Sequence, residues 1–213
     1  DYFGAEPEEL LVRFEHALAP AGRVLDAPGR VLDIGAGQGR NALRLARRGV
    51  AVDCIDPSET AEEQVWARVL HEDLPVRFFP QTFETFVPDV DYYDAVLAFG
   101  LIQELPRELI EILVERIGCW TRPGGLALVT AFTTADPGFE EISRAWRKIG
   151  SGSFSNGGGS IQTFLEAGEL REIFVGWETL HYREGLGAAH RHGSGGPHRH
   201  VSVEGVFRRR RAD

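Results

Sequence analysis

The residues whose types and spacing could do chemistry are concentrated in Val31-Leu32-Asp33-Ile34-Gly35-Ala36-Gly37-Gln38-Gly39-Arg40-Asn41. A carboxylate, Asp33, stands two residues ahead of three closely spaced glycines. Gly35, Gly37 and Gly39 bend the backbone with no side chain in the way, which leaves room for a nucleotide-like ligand against the amides of a helix start. A carboxylate at this point would repel a pyrophosphate and attract a cation. The Gly-x-Gly-x-Gly spacing also departs from the Gly-x-Gly-x-x-Gly register that cradles phosphates. Asp56 lies 21 positions beyond Gly35, at the end of the next apolar run. An acid about 20 residues past the first glycine can take both hydroxyls of an adenosine ribose. Asp56-Pro57-Ser58 is also a run of helix-start residues, so capping is the competing reading.

These groups need a scaffold that brings strand ends together. Apolar runs and amphipathic stretches alternate along residues 30–132. The spacing predicts strands at 30–34, 51–55, 76–79, 95–99 and 126–132, with helices at 40–48, 58–70 and 106–118. Such alternation implies a parallel sheet with helices on both faces. After residue 132 the pattern changes. A helix is expected at 138–149 and another at 166–174. Two final strands, 177–183 and 201–208, are expected to pair antiparallel at the sheet edge. The expected fold class is α/β: a Rossmann-like doubly wound seven-stranded sheet, mostly parallel with an antiparallel C-terminal edge strand, in one domain over 1–213. Residues 1–20 read as an N-terminal helical lid, with Leu10, Leu11, Phe14 and Leu18 on one face and Tyr2 and Phe3 as lid aromatics or packing rings. The glycine- and serine-rich 151–160 and the histidine-bearing 185–200 read as mobile loops.

In open α/β sheets the ligand lies over the carboxyl ends of the strands. That rule nominates Asp33, Gly35, Ala36, Gly37, Arg40 and Asn41, then Asp56 and Pro57, then Gln81, Thr82 and Phe83, and finally Phe99. Gln81 can hydrogen-bond an adenine edge. Phe83 either stacks on that ring or packs in the core.

The segment Asp33–Asn41 resembles motif I of the class I S-adenosylmethionine (SAM)-dependent methyltransferases. Thr121-Arg122-Pro123-Gly124-Gly125 and the apolar run after it resemble that superfamily's approach to strand five. Gly168-Glu169-Leu170-Arg171, Gly176-Trp177-Glu178, Tyr182, Glu184, Gly187 and His190-Arg191 follow the order seen in tellurite/selenite-resistance methyltransferases. The resemblance implies SAM as methyl donor, S-adenosylhomocysteine as product, and a small acceptor, a tellurite- or selenite-type oxyanion among them. It marks His190 and Arg191 as catalytic residues, with Arg199 or His198 as the match to a later arginine of that family and Arg199 taken as catalytic with them. Gly187-Ala188-Ala189 stands where that family carries Gly-Glu-Leu, so a carboxylate is missing beside the acceptor. Phe99-Gly100-Leu101-Ile102-Gln103-Glu104 stands where base-amino methyltransferases carry Asn/Asp-Pro-Pro-Tyr, which removes support for DNA as acceptor.

Arginine's planar fork suits small oxyanions, so two His-Arg-His triplets in one loop could hold an anion before the methyl. A lone pair on tellurium or selenium needs no base. A hydroxyl or thiol would lose its proton, and His190 is the candidate to take it. Competing readings are a small organic hydroxyl, thiol or amine acceptor, and a non-catalytic SAM-binding module with a metal- or partner-binding histidine loop. No preformed metal site is expected from a His-x-His pair on a glycine loop.

Composition bounds the rest. Apolar residues make up 43% and charged residues 26%, as in ordinary globular chains, and the net charge of −9 argues against a nucleic-acid partner. No apolar run approaches the ~20 residues that cross a membrane, and no secretory leader is visible. Cys54 and Cys119 make no disulfide framework and read as reduced core residues of a cytoplasmic protein.

Overall fold

The computed structural model describes residues 6–17, 29–187 and 199–211. Tyr2, Phe3, Leu18, His190, Arg191 and His198 lie outside the described residues. A short helix α1 (Glu9–Phe14) leads into the alternating segment β1 (Arg30–Ile34), α2 (Arg40–Ala46), β2 (Ala51–Ile55), α3 (Glu59–Glu72), β3 (Val76–Phe79), β4 (Tyr93–Phe99), α4 (Arg107–Trp120) and β5 (Thr121–Phe132). Then come α5 (Phe139–Ala145), three short strands β6 (Arg147–Gly150), β7 (Ser153–Ser155) and β8 (Ile161–Thr163), α6 (Glu169–Ile173), β9 (Glu178–Leu186) and β10 (Val201–Arg208).

Seven strands form one sheet in the order β3-β2-β1-β4-β5-β10-β9. β3, β2, β1, β4 and β5 are parallel to their neighbours. β10 runs antiparallel between β5 and β9. Successive residues of the central strands point to opposite faces, and both faces are covered. Val31, Val52, Ala95, Leu97 and Leu128 pack on one side with α1, α2 and α3. Leu32, Ile34, Val96, Val129 and Phe207 pack on the other with α4 and α6. Continuous apolar runs, rather than alternating ones, follow from burial on both faces. The strand order reverses between β1 and β4, which opens a crevice at their carboxyl ends.

The N-terminal segment is tied down. Leu10 and Leu11 are fully buried. The backbone N–H of Glu8 donates to Asn41 Oδ1 at 2.8 Å, and Arg13 pairs with Glu204 of β10 at 2.6 Å. Arg44 of α2 forks both oxygens of Glu15, at 2.5 and 2.9 Å.

Three expectations are corrected. The helix predicted over 138–149 stops at Ala145, because none of its residues is buried and Arg147–Gly150 instead pairs with β7. Within the segment 151–160, expected to be a mobile loop, Ser153–Ser155 forms β7 of a second, three-stranded sheet, and residues 156–160 are its exposed connection to β8. Its glycines serve turns: a Cβ on Gly152 (φ +63°) would sit 2.3 Å from the carbonyl oxygen of Phe164. Phe154 packs edge-on against Phe139 and Phe164. The third concerns cysteine: Cys54 is buried, but Cys119 on α4 is exposed. In addition, the predicted loop 185–200 begins two residues late, since β9 continues to Leu186.

Candidate active site

Motif residues Asp33 to Gly39 leave the end of β1 and cross to the start of α2. Gly35, Gly37 and Gly39 all have positive φ, at +68°, +51° and +74°. A side chain at Gly39 would also drive a Cβ to 2.8 Å from Val65 of α3, so this glycine lets the two helices close on each other. The bend is pinned to β2. The Gly35 N–H donates to the carbonyl of Ile55 at 2.8 Å, and the Gly37 N–H donates to Asp56 Oδ2 at 2.9 Å. Asp56 Oδ1 accepts from the Ser58 N–H at 2.9 Å, while the Ser58 hydroxyl caps α3 by accepting from Ala61 N–H at 3.2 Å. Capping of α3 therefore belongs to Ser58. Asp56 holds the glycine bend and remains half-exposed at the crevice, with lone pairs to spare.

Asp33 is the anomaly of the site. It is 2% exposed, and its Oδ2 has no hydrogen-bond partner among the described residues. A buried carboxylate oxygen without a donor is costly. Burial pushes its pKa up to about 7; the Arg40 guanidinium opposes this, Asp56 adds to it, and a bond from the Ala42 backbone opposes it. A carboxyl held in this condition has a place for a cation or a hydrogen-bond donor that the chain itself does not fill.

The other predicted cofactor residues divide. Ala36 lies buried in the bend, its N–H directed at the Ile55 carbonyl at 3.3 Å. Arg40 and Asn41 face the N-terminal segment: Arg40 donates to the Glu6 carbonyl at 3.0 Å and lies 3.6 Å from Glu8, while Asn41 holds the Glu8 backbone. Pro57 and Gln81 are exposed, and Thr82 is half-buried where the chain turns after β3. Phe83 is 4% exposed and packs among Leu32, Ile34, Ile55 and Phe86. Phe99 is half-buried at the tip of β4, beside Gly100 (φ +65°), whose N–H donates to the Thr130 side chain at 3.0 Å.

Beyond β4 lie contacts that the sequence pattern did not pair. Gln103 is 6% exposed, and its Oε1 is a second buried acceptor lacking a partner among the described residues. The small sheet docks on this turn: the Thr163 hydroxyl donates to the Leu105 carbonyl at 2.6 Å and sits 2.6 Å from Ser153 Oγ, so Ser153 is the donor in that second contact. Asp136 and His200 meet at the carboxyl end of β5. His200 Nδ1 lies 2.8 Å from Asp136 Oδ2, and its ring stacks on Phe132 at 4.1 Å between centroids. Asp136 also accepts from the N–H groups of Gly138 and Val201, each at 2.8 Å. Burial alone would raise the Asp136 pKa, but the bonds from His200, Gly138 and Val201 hold it below its ordinary value. The signal was present in Thr134-Ala135-Asp136-Pro137-Gly138: an acid just past a strand's carboxyl end, where the strand-end rule applies as it does to β1 and β4. Arg199, expected in the site, is exposed. Among the described residues no group of His, Cys, Asp and Glu side chains is arranged to hold a metal ion, and no helix is long and apolar enough to cross a membrane.

Comparison with known proteins gives this geometry a context. Residues 31–125 match the family described as a methyltransferase domain. The chain is 32% identical over 166 residues to Hemagglutinin 1 of Eikenella corrodens, covering 77% of this chain and 49% of that protein. It is 25% identical over 195 residues to a probable S-adenosyl-L-methionine-dependent methyltransferase, TehB, of Haemophilus influenzae, covering 89% of this chain and 62% of that protein. This chain thus spans about half to three fifths of the length of these relatives. Its fold matches the Burkholderia thailandensis 1,6-didemethyltoxoflavin-N1-methyltransferase, solved with 1,6-didemethyltoxoflavin and S-adenosylhomocysteine bound, at a TM-score of 0.66 and 19% identity over 96% of this chain and 80% of that one.

Proposed function

We propose that this chain is a class I SAM-dependent methyltransferase that transfers the sulfonium methyl of SAM to a small-molecule acceptor at the carboxyl rim of its sheet, a reading supported by the methyltransferase-domain match over residues 31–125 and the likeness to TehB. One observation carries the assignment of the cofactor cradle: Asp33, buried and with a bare Oδ2, beside a glycine bend that Asp56 anchors. The donor set fits a cationic adenosyl cofactor. Asp33 answers a positive amino-acid end, the open bend admits backbone contact, and the spare lone pairs of Asp56 answer ribose hydroxyls. Gln81 and Thr82 border the place for the base. Bound SAM supplies a methyl on an activated sulfonium leaving group, so the chain's task is alignment and exclusion of water. Orientation of this kind is worth several kcal/mol, with ~7–11 as the ideal limit. The apolar, half-buried Phe99 and Leu101 line the tip of β4, and a weakly polar wall favours a step in which the sulfonium and an anionic acceptor lose their opposite charges.

Two acceptor classes are open to such a site. A tellurite- or selenite-type oxyanion, held by His190, Arg191 and Arg199, is supported by the likeness to TehB. A small organic hydroxyl, thiol or amine is supported by small-molecule methyltransferases with this fold, such as the toxoflavin enzyme. Calorimetry should detect SAM and S-adenosylhomocysteine binding and no NADH binding; absence of binding at high micromolar SAM removes the proposal. Replacing His190 and Arg191 together by alanine should cut oxyanion turnover and leave SAM affinity nearly intact. Persistence of that turnover would remove the clamp.

A further inference from the structure

We propose that Asp136 and His200 form the proton-accepting dyad of this site, and that its acceptors are therefore small molecules methylated at a protonated oxygen or sulfur. The inference rests on the methyl-transfer reading above and goes further by naming the acceptor chemistry and the residues that deal with its proton.

Three observations carry it. The first is place. Val201 begins β10, which runs antiparallel to β5, so Ser202 lies opposite Phe132 and His200 stands over the carboxyl end of β5. This is the rim where open α/β sheets hold their ligands, one strand beyond the apolar tip of β4. The second is orientation. Asp136 Oδ2 lies 2.8 Å from Nδ1 of His200, and a carboxylate can only accept there. Nδ1 therefore carries the hydrogen, and Nε2 is the basic nitrogen. The third is rigidity. Asp136 is 4% exposed and fixed by the N–H groups of Gly138 and Val201, and the imidazole stacks on Phe132 with 23° between the planes. A buried carboxylate that orients a half-buried imidazole and stabilises its protonated form is the arrangement that general-base histidines require. An oxyanion with a lone pair on tellurium or selenium would have no use for it.

The step balances without a further reagent. The acceptor's oxygen or sulfur forms a bond to the methyl carbon as the carbon–sulfur pair returns to sulfur. The acceptor's proton passes to Nε2 of His200, and the imidazolium is paired with Asp136 until water removes the proton.

The test compares acceptors that keep their proton at the assay pH with acceptors that have already lost it. The wild type and His200→Gln are assayed with phenol and 4-nitrophenol, and with an alkyl thiol and 4-nitrothiophenol, at pH 8 and saturating SAM. Loss of a general base should lower turnover of phenol and the alkyl thiol by roughly 100-fold or more, with a much smaller loss for the nitro compounds and no change in SAM affinity. An equal loss for all four acceptors means a structural role and overturns the proposal, as does no loss. A readout without turnover uses the chain saturated with S-adenosylhomocysteine. Ring nitrogen spectra should show His200 as the Nδ1–H tautomer, and added 4-nitrophenol should shift its Nε2 resonance. The opposite tautomer or an unmoved resonance overturns the dyad. A wild type that binds SAM and methylates selenite but none of the four compounds overturns the acceptor class alone. Failure to bind SAM at all removes the underlying reading instead.

Discussion

Two buried carboxylates on neighbouring strands, Asp53 on β2 and Asp33 on β1, behave in opposite ways. Asp53 is 1% exposed and fully engaged: Arg77 forks both its oxygens at 2.8 and 2.5 Å, and the Tyr93 hydroxyl donates to Oδ2 at 2.8 Å. Burial and the Asp53 charge push the Tyr93 hydroxyl far above its ordinary range, so it stays a donor. Asp94, at the start of β4, likewise accepts from the Arg30 backbone at 2.7 Å. Asp33, one register step from Asp53, is just as buried yet keeps a bare oxygen. Asp53 and Asp94 close their electrostatics within the chain. The carboxylate at the carboxyl tip of β1 is left incomplete, at a cost in stability that protonation or a ligand can recover.

The sharpest way to break this comparison is Asp56→Ala. It removes the proposed ribose partner and releases the Gly37 and Ser58 amides together. Charge-assisted bonds contribute about 1.5–3 kcal/mol each, so SAM affinity should fall on the order of 100-fold in a calorimetric titration. Unchanged affinity would mean that Asp56 is only a scaffold residue.

Asp33→Asn tests the incomplete carboxyl itself. The Asp33 pKa in the folded chain is raised from 3.8 to about 7, so the folded state holds its proton more tightly than the unfolded state does. The stability this contributes is fully present below about pH 4 and is lost as pH rises through about 7. The free wild type should therefore lose stability relative to the Asp33→Asn variant over that window, by roughly 4 kcal/mol at the limit. SAM affinity should move the other way. A cationic ligand prefers the carboxylate, so wild-type affinity should weaken about tenfold per pH unit well below pH 7, while the variant stays weak and flat. Thermal melts and calorimetry between pH 5 and 8 would show both. A wild type and variant with parallel pH profiles would sink the assignment of Asp33 as the cation's partner.

Legibility in the sequence followed the range of the interactions. The proposed cofactor cradle lies within residues 33–58, about one βαβ unit, so glycine spacing, strand ends and the distance to Asp56 nominate it from the sequence, and the structure brings Gly37 and Asp56 together. The alternation of strands and helices is equally local, whereas the pairing of β1 with β4 spans 64 positions and was not legible as an order. The proposed acceptor side is assembled from afar: Asp136 meets His200 across 64 positions, and Thr163 meets the Leu105 carbonyl across 58. No periodicity encodes such pairs. Residues 151–160 misled for a related reason. Composition alone cannot separate glycines that loosen a chain from glycines such as Gly152 that let two backbones touch. Phe83 was undecidable in the sequence, because an aromatic one turn past a strand end serves a core or a ligand equally well; its burial with Ile34 and Phe86 favours the core.

The smallest expected effects separate the two sides of the site. Thr163→Val removes the hydroxyl that bridges Ser153 and the Leu105 carbonyl, leaving two buried groups without their partner. The penalty should be about 1–3 kcal/mol in a denaturant melt. The loss falls on the contact that docks the small sheet on the turn carrying Gln103, and no part of the glycine bend is touched. Acceptor KM should therefore rise several-fold while SAM affinity holds. Tyr93→Phe is the matched control on the opposite side, costing about 1 kcal/mol by stripping one donor from Asp53, which keeps Arg77. It should leave both SAM affinity and acceptor KM unmoved. If Tyr93→Phe shifted either constant as much as Thr163→Val does, the division between a closed structural network and an open functional rim would not hold.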